Sequence, residues 1–161
     1  MPDPTRQANP CIGYLSVLEE PGAGLIGGYL IVSPRGRPLE FHCTAPIAPS
    51  RAHQLLYGAS LRACLVAEEI GPSLLRAAAH RPAVVLTEDA DLASIQSPDV
   101  ALVRMDRLAE ARGLLLGPAS DALSALESHT DLAEPFERIV AAVREAQRIT
   151  TDPEPADVRA A

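Results

Sequence analysis

The chain has 161 residues, 47% of them hydrophobic but only 3% aromatic, with no tryptophan and a net charge of −7. Its 14 basic residues are all arginine, which excludes lysine Schiff-base and P-loop chemistry. A net-acidic chain with no basic block also argues against binding nucleic acid through its phosphates.

The length suits a single domain, with a core built from Leu, Val, Ile and Ala. Residues 1–10 hold three prolines and no apolar periodicity, and read as a flexible lead. They show no signal-peptide core, and the apolar runs elsewhere are too short for a membrane span. A cytoplasmic setting without membrane contact is therefore expected. Cys11, Cys43 and Cys64 form an odd set without a CxxC pair, as expected of reduced thiols.

The run from Cys11 to Leu18 alternates loosely and is expected to be a strand, broken by Pro21-Gly22. Leu25 to Val32 is a second, continuously apolar strand, where Gly27-Gly28 signals a bulge or a close backbone approach. Pro34 and Gly36 supply a turn. Leu39 to Thr44 is a third strand, so 24–44 forms an antiparallel hairpin. In that strand Leu39, Phe41 and Cys43 share one side, expected in the core, and Glu40, His42 and Thr44 share the wetter side.

Ser50 caps a helix over Arg51–Tyr57, interrupted by Gly58. Ser60 is expected to cap Leu61–Ile70, and a third helical piece runs over Ser73–His80, the three being separate or one kinked run. Pro82–Leu86 reads as a buried strand, Asp89 and Asp91 as a helix start, and Val100–Met105 as a strand within reach of a parallel crossover. Leu114–Leu116 is open to a last short strand, and Pro118–Leu126 is helical. Asp131 and Glu134 form a capping-box-like pair before a long C-terminal helix. In it Leu132, Phe136, Ile139, Val140 and Val143 make an apolar stripe. Residues 150–161 are acidic and proline-rich, and read as a disordered tail.

The expected fold is thus a single α/β (or α+β) domain over 11–149. It has a sheet of about five strands, the hairpin 24–44, packed helices and an amphipathic C-terminal helix. Its core should include Leu25, Tyr29 to Val32, Leu39, Phe41, Leu61, Leu65, Val84 to Leu86, Val100, Leu102, Phe136, Ile139, Val140 and Val143.

Catalytic candidates are few: His42, Glu40, Asp89 and Asp91. His42 shares a strand face with Glu40, whose carboxylate could orient it as a general base. His42 and Cys43 point to opposite faces and cannot act as a pair. No His or Cys spacing suits structural zinc, and no glycine motif stands between a strand and a helix. No metal or other cofactor is expected.

The order of elements, three strands, helices, strand, short helix, strand and C-terminal helices over residues 11–149, resembles the ribonuclease H-like fold. The resemblance implies three acidic positions holding two divalent metals. They would fall near Ser16, at Glu68 or Glu69, and at Asp89 or Asp91, and Ser16 departs from the pattern. The order is also similar to roadblock/longin-type domains, which implies a module that binds partner proteins. The chain is read as a non-catalytic interaction or assembly module, with a protein partner or its own homo-oligomer. The alternative is a hydrolase, metal-dependent or His-assisted, with a site near Glu40/His42 and Asp89/Asp91.

Overall fold

A computed structural model describes residues 10–115 and 117–151, without the side chains of Thr150 and Thr151. The expectations for the extreme N-terminal lead, for Leu116 and for the acidic tail beyond 151 lie outside the described residues.

Five strands form one mixed sheet in the order β3-β2-β1-β4-β5. β1 (Ile12–Glu20) pairs antiparallel with β2 (Gly24–Val32), and β2 antiparallel with β3 (Pro38–Cys43). β4 (Val84–Thr87) lies parallel to β1, and β5 (Leu102–Arg104) parallel to β4. The crossover between the last two strands is therefore parallel, carried by the short helix α4 (Ala90–Ala93). The 24–44 hairpin forms as expected. Gly36 takes φ +79° and donates its N–H to the Ser33 carbonyl, and Ser33 donates to the Arg37 carbonyl.

Helices cover both faces. On one face α6 (Pro118–Glu127) and α7 (Glu134–Thr151) pack over Ile12, Tyr14, Leu30 and Leu86. On the other face a helical run packs over Leu15, Tyr29, Ile31 and Val85. That run is continuous from α2 (Leu61–Cys64) through a π-helical stretch (Leu65–Ile70) into α3 (Gly71–Ala77). Pro72 explains the wide turn, because it has no N–H to return to Glu68 and its ring would meet that carbonyl. Opening to π geometry, with Gly71 N–H bonded to the Val66 carbonyl, absorbs the mismatch. Ser60 does not cap this run, since its hydroxyl donates to the Tyr57 carbonyl at 2.7 Å.

Gly27 and Gly28 are a close approach, not a bulge, because the β1–β2 register runs unbroken past them. A Cβ on Gly27 would lie 2.3 Å from Ile70, and one on Gly28 would lie 2.5 Å from Ile139. The pair lets a helix settle on each face of the same strand.

Two expectations fail on packing. Leu39 and Phe41 are 44% and 36% exposed, not core, and Cys43 is exposed with them. Their alternation is intact, since Phe41 pairs with Leu30 on the α7 face. But α7 lies over β1 and β2, while α3 reaches β2 and β3, so at this edge only the opposite face is covered. Glu40, His42 and Thr44 therefore occupy the more buried side. Leu114 and Leu115 form a turn after α5 (Leu108–Arg112), not a strand. Asp131 leads into α7 by accepting the Ala133 N–H on its side chain.

Candidate functional site

Glu40 reaches from β3 under the end of α3. Its Oε1 accepts the Ala79 N–H at 2.7 Å and His42 Nε2 at 2.6 Å. Its Oε2 accepts the His80 N–H at 3.0 Å and His80 Nδ1 at 2.7 Å. An ionised carboxylate only accepts, so both rings must carry a proton on the nitrogen facing it. Burial works to raise the Glu40 pKa, but the bond from His42, the two backbone N–H groups and the His80 ring outweigh it. Together they bring the value down to about 2. Glu40 is thus an acceptor with its lone pairs committed, and it fixes two imidazoles and a loop to an edge strand.

His80 belongs to this cluster and was not among the sequence candidates. It lies 40 residues from Glu40 in the chain, and nothing local in the sequence marks the pairing. A cleft of about 330 Å³ lies beside it, lined by Arg76, His80, Arg81 and Asp99 among others. A wider one of about 950 Å³ is lined by Cys11, Arg35, Arg37 and His80. Burial, followed by the Glu40 charge, raises the Cys11 pKa and keeps its thiol protonated.

Asp89 and Asp91 form a separate cluster. Asp89 N-caps α4 by accepting the N–H groups of Asp91 and Leu92. Arg62 then bridges both acids, Nη2 to Asp89 at 2.6 Å and Nη1 to Asp91 at 2.5 Å. Burial would raise the Asp89 pKa, but the Arg62 bond and the two N–H groups lower it. Three strand spacings, about 14 Å, separate the edge strand carrying Glu40 from β4. The structure therefore joins Glu40 with His42, and Asp89 with Asp91, but does not join the two pairs.

The positions implied by the ribonuclease H-like resemblance do not fit a metal pair. Ser16 lies on the α7 face of β1, between Tyr14 and Leu18, opposite Gly28. Glu68 and Glu69 are exposed on the π-helical stretch of the other layer. Glu68 accepts a bond from the Cys64 thiol, and Asp89 and Asp91 are held by Arg62. Among the described residues no three His, Cys, Asp or Glu side chains gather as a metal site. No protein-family model matches the chain, and no curated protein matches it.

Away from these clusters stands α1 (Arg51–Tyr57). It is capped by Ser50 through the His53 N–H and ends at Gly58, φ +55°. It buries no residue, and Leu55, Leu56 and Tyr57 are 68%, 81% and 47% exposed. No helix of the described residues is long and apolar enough to cross a membrane.

Proposed function

We propose that this chain is a non-catalytic protein-interaction or assembly module of the cytoplasm. The single observation carrying the proposal is α1. A seven-residue helix is marginal on its own, since isolated helices shorter than about 12–15 residues are barely stable in water. Helices of globular proteins normally gain stability by burying an apolar face, and α1 buries none. The tyrosine matches the aromatic anchors by which proteins grip partners, and the leucine pair extends the exposed apolar surface beside it. The titratable clusters support the same conclusion from the other side. Glu40, Asp89 and Asp91 are all spent on internal donors. Three unpaired thiols suit a reducing compartment.

The test compares the wild-type chain with the triple variant Leu55→Ser, Leu56→Ser, Tyr57→Ser in affinity purification from the native host. A stoichiometric protein partner should accompany the wild type and be lost from the variant. Because these side chains touch little, the variant's unfolding free energy should stay within about 0.5 kcal/mol of the wild type. A lone protein with hydrolase activity that His42→Ala abolishes would instead support the enzyme reading.

A further inference from the structure

We propose that the cleft between the β2–β3 turn and the loop before β4 binds a small aliphatic phosphate ester, held by its phosphate group. The site is separate from α1, and its failure would leave the α1 reading standing. It is the larger of the two clefts beside His80, about 950 Å³ in volume, within the range of small-molecule sites. Arg35 and Arg37 line it from the turn, and Arg81 lines it from the loop. In a chain of net charge −7, most described arginines reach a carboxylate, Arg62, Arg112, Arg138 and Arg144 among them. Arg35, Arg37 and Arg81 form no ion pair among the described residues, and no described Asp or Glu lines the cleft with them. The smaller cleft differs, because Asp99 lines it together with Arg76 and Arg81.

Backbone hydrogen bonds fix the points from which these arginines project. Ser33 Oγ accepts the N–H groups of Arg35 at 3.3 Å and of Arg37 at 3.2 Å, and keeps its own O–H proton for a further acceptor. Ser33 also lines the cleft, so its hydroxyl is a fourth donor there. On the other wall Glu40 holds the N–H groups of Ala79 and His80, and Pro82 is buried, which anchors Arg81 between them. A carboxylate, with one charge and two oxygens, cannot use three guanidinium groups and a hydroxyl. A phosphate monoester carries roughly −1.5 to −2 charge and three acceptor oxygens, and suits that donor set. The rest of the wall selects the body of the ligand. Pro34, Pro38 and Leu39, the last 44% exposed, offer it apolar surface. No described Phe, Tyr or Trp lines the cleft to stack on a base, so an aliphatic chain suits it better than a nucleoside.

Titration of hexyl phosphate into the full chain, read by calorimetry and by amide chemical shifts, tests this against inorganic phosphate and hexanoate. Hexyl phosphate should saturate a single site and move the amide signals of Ser33, Arg35, Arg37 and Arg81. It should bind about tenfold tighter than inorganic phosphate, as burying about two CH₂ groups would give. Hexanoate should bind more weakly than hexyl phosphate, because it carries less charge. Arg37→Gln should weaken binding about tenfold, and Arg37→Gln with Arg81→Gln about a hundredfold. Both side chains are exposed, so these variants should fold as the wild type does. Arg51→Gln removes the same charge outside the cleft and should change the affinity less than about twofold. No saturation by hexyl phosphate at about 10 mM overturns the proposal, and so does binding that Arg51→Gln weakens as much as Arg37→Gln. Inorganic phosphate or hexanoate bound as tightly as hexyl phosphate overturns it as well. Association with vesicles containing phosphatidic acid, without binding of free hexyl phosphate, would make the surface a membrane contact and overturns it too.

Discussion

Glu40 is the residue whose surroundings depart furthest from what its strand position suggests. Four donors converge on a carboxylate whose side chain is 14% exposed. Glu40→Ala strands two backbone N–H groups and should cost about 1.5–3 kcal/mol, the range for bonds to a charged group. His42→Ala should cost under about 1 kcal/mol, because the other three donors remain and His42 is partly in water. The pH dependence follows from the lowered pKa. The charge of Glu40 stabilises the fold fully above its ordinary value of 4.5, and the contribution fades as pH falls from there towards about 2. In urea unfolding, the gap between wild type and Glu40→Gln should be level at neutral pH and close over that acid window. A gap that widened as pH fell would contradict it. Tyr14 presents the opposite case. Its hydroxyl is buried with no partner among the described residues, while its ring meets Phe136 edge-on at 5.0 Å. Tyr14→Phe keeps the ring contact and removes the unmatched group, so stability should hold or rise by up to about 1 kcal/mol.

Elements show how far local chemistry reaches. Asp89 satisfies two N–H groups at the start of α4 and holds Arg62, so Asp89→Ala should cost about 1–2 kcal/mol by thermal unfolding. Asp91→Ala removes only the second, more exposed arm of the bridge and should cost less than about 1 kcal/mol. That cap was legible in the sequence, as were the hairpin turn at Pro34–Gly36 and the Ser50 cap, because each depends on residues a few positions apart. Gly27-Gly28 was open to a bulge or a close approach, and the contacts that decide between them, with Ile70 and Ile139, lie far along the chain. The buried side of β3 was not legible. Alternation divides Leu39, Phe41 and Cys43 from Glu40 and His42, but which set is covered depends on how far α7 and α3 extend across the sheet. The Glu40–His80 and Arg62–Asp89 contacts span 40 and 27 residues, and no local pattern encodes them. Half of the candidate site could therefore be placed from the sequence, and its closing partners could not.

At the scale of the whole molecule, one sheet serves two cores. β1 sends Ile12, Tyr14 and Leu18 into the layer under α6 and α7, and Leu15 into the layer under α3. Neither layer can open without baring the strands that form the floor of the other, so both should unfold together. The chain has no tryptophan, and its tyrosines divide usefully. Tyr14 and Tyr29 are buried on opposite faces, and Tyr57 is exposed on α1. In a Tyr57→Phe background, Tyr29→Phe leaves a reporter of the α7 layer, and Tyr14→Phe leaves a reporter of the α3 layer. Leu15→Ala on one face and Ile139→Ala on the other should each cost about 2–5 kcal/mol, because both side chains are fully buried. A cavity in either layer should move both tyrosine transitions by the same free energy, since a shared sheet transmits the loss to each core. If Leu15→Ala shifted the Tyr29 midpoint and left that of Tyr14 in place, the two layers would be separate folding units. β1 would then be a boundary between them and not their common frame.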